Sequence, residues 1–162
     1  MSPISDADLP FLRRAVDLAR EGLQAGDEPF GSVLVSAGGE VLFEDRNRVA
    51  GGDETRHPEF EIARWAAANV DPAERATSTV YTSGEHCPMC SAAHAWVGLG
   101  RIVYAGSSEQ LTAWRAELSA APGPVAPLPI QTVAPGIVVD GPAEQFAEEL
   151  RELHHAVLRR RG

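Results

Sequence analysis

Two segments of the chain repeat apolar residues at steps of four, three and four, which places those residues on one face of an α-helix. The apolar positions are Leu12, Val16, Ala19 and Leu23 in the first segment, and Phe146, Leu150, Leu153 and Val157 in the second. We therefore predict an amphipathic helix over residues 8–23 and a last helix that begins at Pro142.

Between these helices, short runs of β-branched and aromatic residues alternate with segments of helical pattern. The predicted strands cover residues 32–35, 41–43, 79–82, 101–105 and 136–139. The predicted helices run from His57 to about Asn69, from Cys87 to about Val97 and from Ser108 to Leu118. The first two strands form a hairpin, and the strand–helix–strand order over residues 79–105 predicts a right-handed βαβ unit with parallel strands.

Length and composition narrow the class of protein. A chain of 162 residues with 44% hydrophobic residues is expected to form one domain over residues 1–162. There is neither a signal-peptide pattern nor an apolar run of about 20 residues, and the two cysteines fit a reducing compartment. We predict a cytoplasmic protein with no membrane segment. The net charge of -9 argues against nucleic acid as a partner, and the basic run Arg159–Arg161 is expected to be a solvated tail.

The candidate chemistry lies in two short motifs. Cys87 and Cys90 are three residues apart, so at a helix start their sulfurs share one face, where the helix dipole favours thiolates. His57 could add a nitrogen ligand. Pro58 follows His57 and Pro88 follows Cys87, and proline is favoured at the first position of a helix. Both motifs are therefore expected to open helices whose side chains converge.

Three protein ligands would leave a tetrahedral zinc ion one open position, which is typical of catalytic sites. Glu59 follows His57 by two residues and is placed to carry protons at that position. Two alternatives remain open. His94 could complete a closed structural zinc site, or the two cysteines could form a redox disulfide.

These residues resemble the signature H-x-E…P-C-x-x-C of the cytidine and deoxycytidylate deaminase superfamily. The resemblance covers roughly residues 9–106, and the runs Asp27–Gly31 and Cys87–Cys90 are most similar to guanine deaminases and tRNA adenosine deaminases. It implies a three-layer α/β/α sandwich with a mixed central sheet of about five strands flanked by helices. It also implies one Zn²⁺ per chain bound by His57, Cys87 and Cys90, proton transfer by Glu59, and a homodimer.

Four further residues are predicted to contact the substrate. The resemblance implies that Asn47 hydrogen-bonds the substrate and that Phe30 lines the base pocket, although turn chemistry and core packing would also explain these two residues. Glu85 precedes the first cysteine and could orient the leaving amine. His86 stands where the family has a proline, and it either points into the pocket or lies at the surface nearby.

The resemblance implies hydrolytic deamination, in which an exocyclic ring amine becomes a carbonyl and ammonia is released. We predict a free nucleobase or nucleoside as substrate, with guanine or a related aminopurine first. The alternatives are a tRNA adenosine deaminase, a deaminase of cytosine, cytidine or another heterocycle such as a triazine or pterin, and a non-catalytic zinc-stabilised binding protein. Residues 107–162 match no motif and could form a lid or a dimer contact. Within them, His154 and His155 are expected at the surface.

Overall fold

The computed structural model describes residues 3–161, which form a five-stranded sheet flanked by helices. The helices are α1 (Leu9–Gln24), α2 (Pro58–Asn69), α3 (Pro72–Thr77), α4 (Pro88–Trp96), α5 (Ser108–Glu117), α6 (Ile130–Val133) and α7 (Ala147–Arg161). The strands are β1 (Gly31–Val35), β2 (Val41–Arg46), β3 (Thr79–Gly84), β4 (Ile102–Gly106) and β5 (Val139–Asp140). Single 3₁₀ turns cover Val49–Gly51 and Glu144–Phe146.

The sheet has the strand order β2-β1-β3-β4-β5. Strand β1 is antiparallel to both β2 and β3, whereas β3, β4 and β5 run parallel to one another. Helix α4 connects β3 to β4, so the predicted βαβ unit is present. The prediction of a mixed α/β sheet is confirmed.

Side chains alternate between the two faces of the sheet along each strand, and both faces are packed against helices. On β1, Val33 and Val35 pack against α1 and the C-terminal helix, in a cluster with Tyr81 of β3. Leu34 points to the opposite face, where it packs with Val80 against α2. Successive side chains of a strand point to opposite faces, so one short strand contributes to both helical layers.

Helix α1 lies directly against the start of β1. A Cβ atom at Gly31 would overlap the carbonyl oxygen of Ala15 and the Cβ of Leu18. Glycine is therefore required here for close approach between the helix and the strand. This contact fixes the strand that carries Phe30 and Ser32 at its beginning.

A buried ionic network ties the start of α1 to the sheet. The Tyr81 hydroxyl donates to Asp8 at 2.7 Å, and Arg101 donates both to Asp8 at 2.9 Å and to Asp140 at 2.8 Å. Burial alone would raise the pKa of Asp8, but the bonds from Arg101, Ser5 and Tyr81 hold it well below its usual range. The Asp8 carboxylate thereby joins the start of α1 to β3 through Tyr81 and, through Arg101, to the β4–β5 part of the sheet.

Some boundaries differ from the sequence predictions. The last strand is Val139–Asp140, and α7 begins at Ala147, after the 3₁₀ turn, and not at Pro142. Trp96 is 86% exposed at the end of α4. In the described part of the chain, no helix combines the length and the apolarity needed to cross a membrane.

Candidate active site

The two ligand motifs each occupy the start of a helix, as their prolines predict. His57 precedes α2 and Cys87 precedes α4, and both have extended backbone angles with proline at the first helical position. Helices α2 and α4 pack side by side on one face of the sheet. Their first turns therefore bring residues from distant parts of the chain to one point.

At that point, one imidazole and two thiols form a compact cluster. The Nδ1 atom of His57 lies 3.5 Å from the Sγ of Cys87 and 3.6 Å from the Sγ of Cys90. All three candidate ligand atoms lie within 4.8 Å of one another. Nitrogen and sulfur donors in this number are the ligands that zinc prefers in proteins.

The electrostatics of the cluster favour the forms that bind metal. A hydrogen bond from the Cys90 thiol, together with one from His57, lowers the pKa of Cys87 to about 4. The same bond, with burial, raises the pKa of Cys90, so without metal one proton stays on that sulfur. Because thiolates are the metal-binding form, binding of a cation here releases this proton.

The structure contains neither a fourth ligand from His94 nor a disulfide between the two cysteines. The Nε2 of His94 donates a hydrogen bond to the carbonyl oxygen of Gly100 at 2.7 Å, so His94 is directed away from the cluster. Both cysteines are free thiols. Among residues 3–161, only His57, Cys87 and Cys90 form a group that could hold a metal ion, which leaves one tetrahedral position open.

Glu59 lies beside the cluster and is buried, with 5% of its surface exposed. Its Oε1 atom is 3.1 Å from the Ser32 hydroxyl and 3.0 Å from the Thr82 hydroxyl, and both can donate to it. These hydroxyls come from β1 and β3, so the sheet fixes one carboxylate oxygen, and the carboxyl group also interacts with the thiol of Cys90. Burial raises the pKa of Glu59, as is common for carboxyl groups that transfer protons.

A cavity opens at the cluster. The part bordered by Phe30, Asn47 and His57 has a volume of about 140 Å³. It continues into a cleft of about 660 Å³ that reaches Glu59 and Cys87 and is bounded by α5 and residues 120–127. This volume is in the range of cavities that bind small molecules.

Asn47 and Phe30, two of the predicted substrate contacts, both line this cavity. The Oδ1 of Asn47 accepts hydrogen bonds from the backbone N–H of Glu28 at 3.3 Å and of Val49 at 3.1 Å. These bonds orient the amide so that its NH₂ group remains available as a donor. No described residue accepts from that group.

Glu85 and His86 are placed differently from each other. Glu85 borders the cleft, but its two oxygens accept from the backbone N–H of Ser108 and of Ile130, each at 2.9 Å, so the side chain braces the starts of α5 and α6. His86 is fully buried against His94, with ring centroids 5.4 Å apart, and does not line the cavity. The His86 ring packs against His94 on α4, and a contact between His86 and substrate stays a prediction.

The C-terminal part supplies a cavity residue that sequence reasoning missed. His154 and His155, expected at the surface, are buried, and His154 lines the cavity near Phe30. The basic run is not a free tail, since Arg160 donates to the Leu23 carbonyl oxygen and Arg161 pairs with Glu28. The sequence did contain one signal for the burial of His154: it directly follows Leu153, one of the apolar residues whose spacing of four, three and four predicts the packed face of α7.

Comparison with known proteins now identifies the family. Residues 5–106 match the family described as "Cytidine and deoxycytidylate deaminase zinc-binding region". The chain belongs to this family. Zinc is accordingly the metal of the site, and His57, Cys87 and Cys90 are the residues that could hold it.

Individual relatives share this region. The chain is 34% identical over 108 residues to a probable cytosine deaminase of Schizosaccharomyces pombe, covering 67% of this chain and 65% of that one. It is 38% identical over 96 residues to a guanine deaminase of Bacillus subtilis, covering 59% of this chain and 62% of that one. The matched regions thus span less than two thirds of either relative.

Solved structures show the same fold. A guanine deaminase of Nitrosomonas europaea superposes with a TM-score of 0.71 at 22% identity, covering 96% of this chain and 87% of that one. The B. subtilis guanine deaminase structure gives a TM-score of 0.57 at 26% identity, covering 82% of this chain and 91% of that one. The expectation of a deaminase-like sandwich is confirmed.

Proposed function

We propose that this protein is a hydrolytic deaminase that converts an exocyclic amine of a free nucleobase or related heterocycle to a carbonyl, with guanine or another aminopurine as the first candidate. The observation that carries the proposal is the cluster of His57, Cys87 and Cys90 with the buried Glu59 beside it, at the end of a cavity. A protein that used zinc only to stabilise its fold would not need a buried carboxyl group, such as that of Glu59, beside an open coordination position.

The residues have distinct roles in this reaction. His57, Cys87 and Cys90 hold the zinc, which when bound supplies the Lewis acidity that makes water nucleophilic near neutral pH. The hydroxyls of Ser32 and Thr82 hold Oε1 of Glu59, so its other oxygen, Oε2, can take a proton from water and return it to the departing amine. The balanced reaction consumes one water and releases ammonia.

The substrate part of the proposal rests on the cavity and on the relatives' names. Asn47 offers an oriented NH₂ donor and Phe30 an apolar face, which suits a flat heterocycle with an acceptor on its edge. A guanine deaminase and a probable cytosine deaminase are both among the relatives. Cytosine is therefore the second candidate ring.

A tRNA substrate is less compatible with the charge of the chain. One relative at 31% identity is a tRNA-specific adenosine deaminase of Haemophilus influenzae. However, the net charge is -9, and two of the three C-terminal arginines already have partners: Arg161 pairs with Glu28, and Arg160 donates to a backbone carbonyl oxygen. Binding of an RNA backbone requires a concentrated positive surface. A cytoplasmic location and a homodimer remain predictions.

The test is ammonia release by protein stripped of metal and then reloaded with zinc. The panel contains guanine, adenine, cytosine, their nucleosides and an anticodon stem-loop RNA, and the metal-free protein is the control. We expect zinc-dependent release from guanine or another free base. Release from the RNA alone would overturn the proposed substrate class, and zinc binding with no release from any compound would favour a binding protein.

A further inference from the structure

His154 is a buried imidazole on α7 that faces the cavity of the proposed active site. It is 6% exposed and lies between two aromatic rings, with its centroid 5.0 Å from that of Phe30 and 6.0 Å from that of Trp114. It lines the 140 Å³ cavity together with Asn47 and His57. The C-terminal helix thereby adds a buried imidazole to a wall that combines apolar side chains with polar ones such as Asn47 and Arg115.

The ring nitrogens of His154 have no hydrogen-bond partner among the described residues. Its neighbour His155 reaches the carbonyl oxygen of Trp114 at 3.1 Å, and His94 reaches that of Gly100, so these buried histidines are paired. His154 also differs from His86, whose ring nitrogens are both sealed from solvent and unpaired. The nitrogens of His154 therefore border space that a ligand can enter.

The charge state of His154 suits recognition of a neutral ring. Burial, with smaller contributions from Arg115 and His155, lowers its pKa to about 3. The imidazole is then uncharged and offers one donor and one acceptor nitrogen. Aromatic heterocycles with an amine to lose carry both kinds of group on their edges.

Helix α7 holds His154 in a fixed position. Glu149 accepts two hydrogen bonds from Arg13 on α1, at 2.8 and 2.7 Å, and Arg151 pairs with Glu117 on α5. These ion pairs, made in the part of α7 that precedes His154, tie the helix to α1 and to α5. A wall residue held in this way can select among ligands because moving it disrupts several contacts.

We propose that His154 is a specificity-determining residue whose free ring nitrogen hydrogen-bonds the substrate heterocycle, at an edge other than the one that faces the metal ligands. The inference rests on the proposed function. It assigns recognition of the ring to the C-terminal third of the chain, beyond the residues 5–106 that match the family. The zinc-side residues would position the reacting carbon, and His154 would read another part of the ring.

The test measures binding rather than turnover. Zinc-loaded Glu59→Gln protein is titrated calorimetrically with guanine, cytosine and analogues in which a single ring nitrogen is replaced by carbon. The same titrations are repeated with His154→Phe added, which keeps an aromatic ring between Phe30 and Trp114. We expect about tenfold weaker binding of the preferred ring, the effect of losing one hydrogen bond, and no effect for the analogue that lacks the bonded atom.

Two further variants separate recognition from folding. His154→Gln retains a donor and an acceptor, and is expected to recover part of the lost affinity for the same ring. His155→Phe alters the adjacent buried histidine, which does not line the cavity, and is expected to leave the affinities unchanged. Zinc content and thermal unfolding are compared for every variant.

Equal weakening of all rings by His154→Phe, no weakening, or binding of no ring by the parent protein would overturn the inference. Because binding is measured independently of ammonia release, its failure is distinguishable from failure of the proposed reaction. If His154→Phe weakens binding selectively but the protein releases no ammonia, His154 is a recognition residue of a non-catalytic protein. If the protein releases ammonia but His154→Phe has no ring-selective effect, the proposed deaminase function is supported and the inference about His154 is wrong.

Discussion

The hydroxyl groups that hold Glu59 provide a quantitative test of the proposed mechanism. Thr82→Val removes one hydroxyl with little change of shape, and Ser32→Ala removes the other. Each hydroxyl can donate to Oε1 of the carboxylate, at 3.0 Å and 3.1 Å. A hydrogen bond to an ionised acceptor is worth about 1.5–3 kcal/mol in a protein, and about 1.4 kcal/mol corresponds to a factor of ten in rate.

We expect each single substitution to lower kcat about tenfold, which is at the low end of that range because the second hydroxyl still holds the carboxylate. The effects should not multiply. The Ser32 hydroxyl can donate its single proton either to Oε1 of Glu59 or to the Thr82 hydroxyl, which lies 2.8 Å away. Each single substitution therefore also changes the bonding of the other hydroxyl, and the double variant should lose less than the product of the two factors.

The assay is the steady-state rate of ammonia release at saturating substrate, with zinc content measured for every variant. Thr79→Val is a matched control, because Thr79 lies on the same strand and makes no side-chain contact with Glu59 in the described structure. The reasoning would be refuted if Thr82→Val kept the kcat of Thr79→Val while Glu59→Gln abolished turnover. In that case the position of Oε1 would not matter for proton transfer.

Two stability predictions follow from other contacts. Gly31→Ala should lower the free energy of unfolding, measured by urea titration, by about 1–3 kcal/mol, because the new methyl group would overlap atoms of α1. An unchanged urea midpoint would contradict this prediction and would show that α1 can shift freely. Hydrogen bonds from Arg13, and to a smaller extent from Arg20, lower the pKa of Glu149 to about 2 from its ordinary value near 4.5. The ionised Glu149 carboxylate therefore stabilises the folded protein fully above about pH 4.5, and this stabilisation is lost as the pH falls toward 2. Glu149→Gln should therefore cost about 1 kcal/mol at pH 6, allowing for solvent screening of the exposed arginines, and nothing near pH 2; a cost that is independent of pH would contradict this account.

The metal site could be predicted from sequence because its signals are local. The spacing of Cys87 and Cys90 fixes their relative direction on a helix, and the proline after His57 marks a second helix start. Glu59 follows from its offset to His57. What the sequence left open was whether His94 would point to the same place, which depends on the partner it finds in Gly100.

The rest of the cavity depends on contacts between distant segments. His154 reaches the site only because α7 packs between α1 and α5. The apolar residues beside position 154 predict that this helix is packed, but they do not predict which helices it contacts. His86 shows the converse, since it adjoins a ligand in sequence but its ring turns into the space behind α4.

The most direct test of the central claim compares two glutamates in the first turn of α2. Glu59 is buried beside the metal ligands, whereas Glu61 is partly exposed and pairs with Arg56. Ammonia release is measured for Glu59→Gln and Glu61→Gln at equal zinc content, with the substrate that the panel identifies. The account predicts a loss of at least about a thousandfold for Glu59→Gln and little change for Glu61→Gln. Turnover by Glu59→Gln within a few-fold of the parent protein would contradict it.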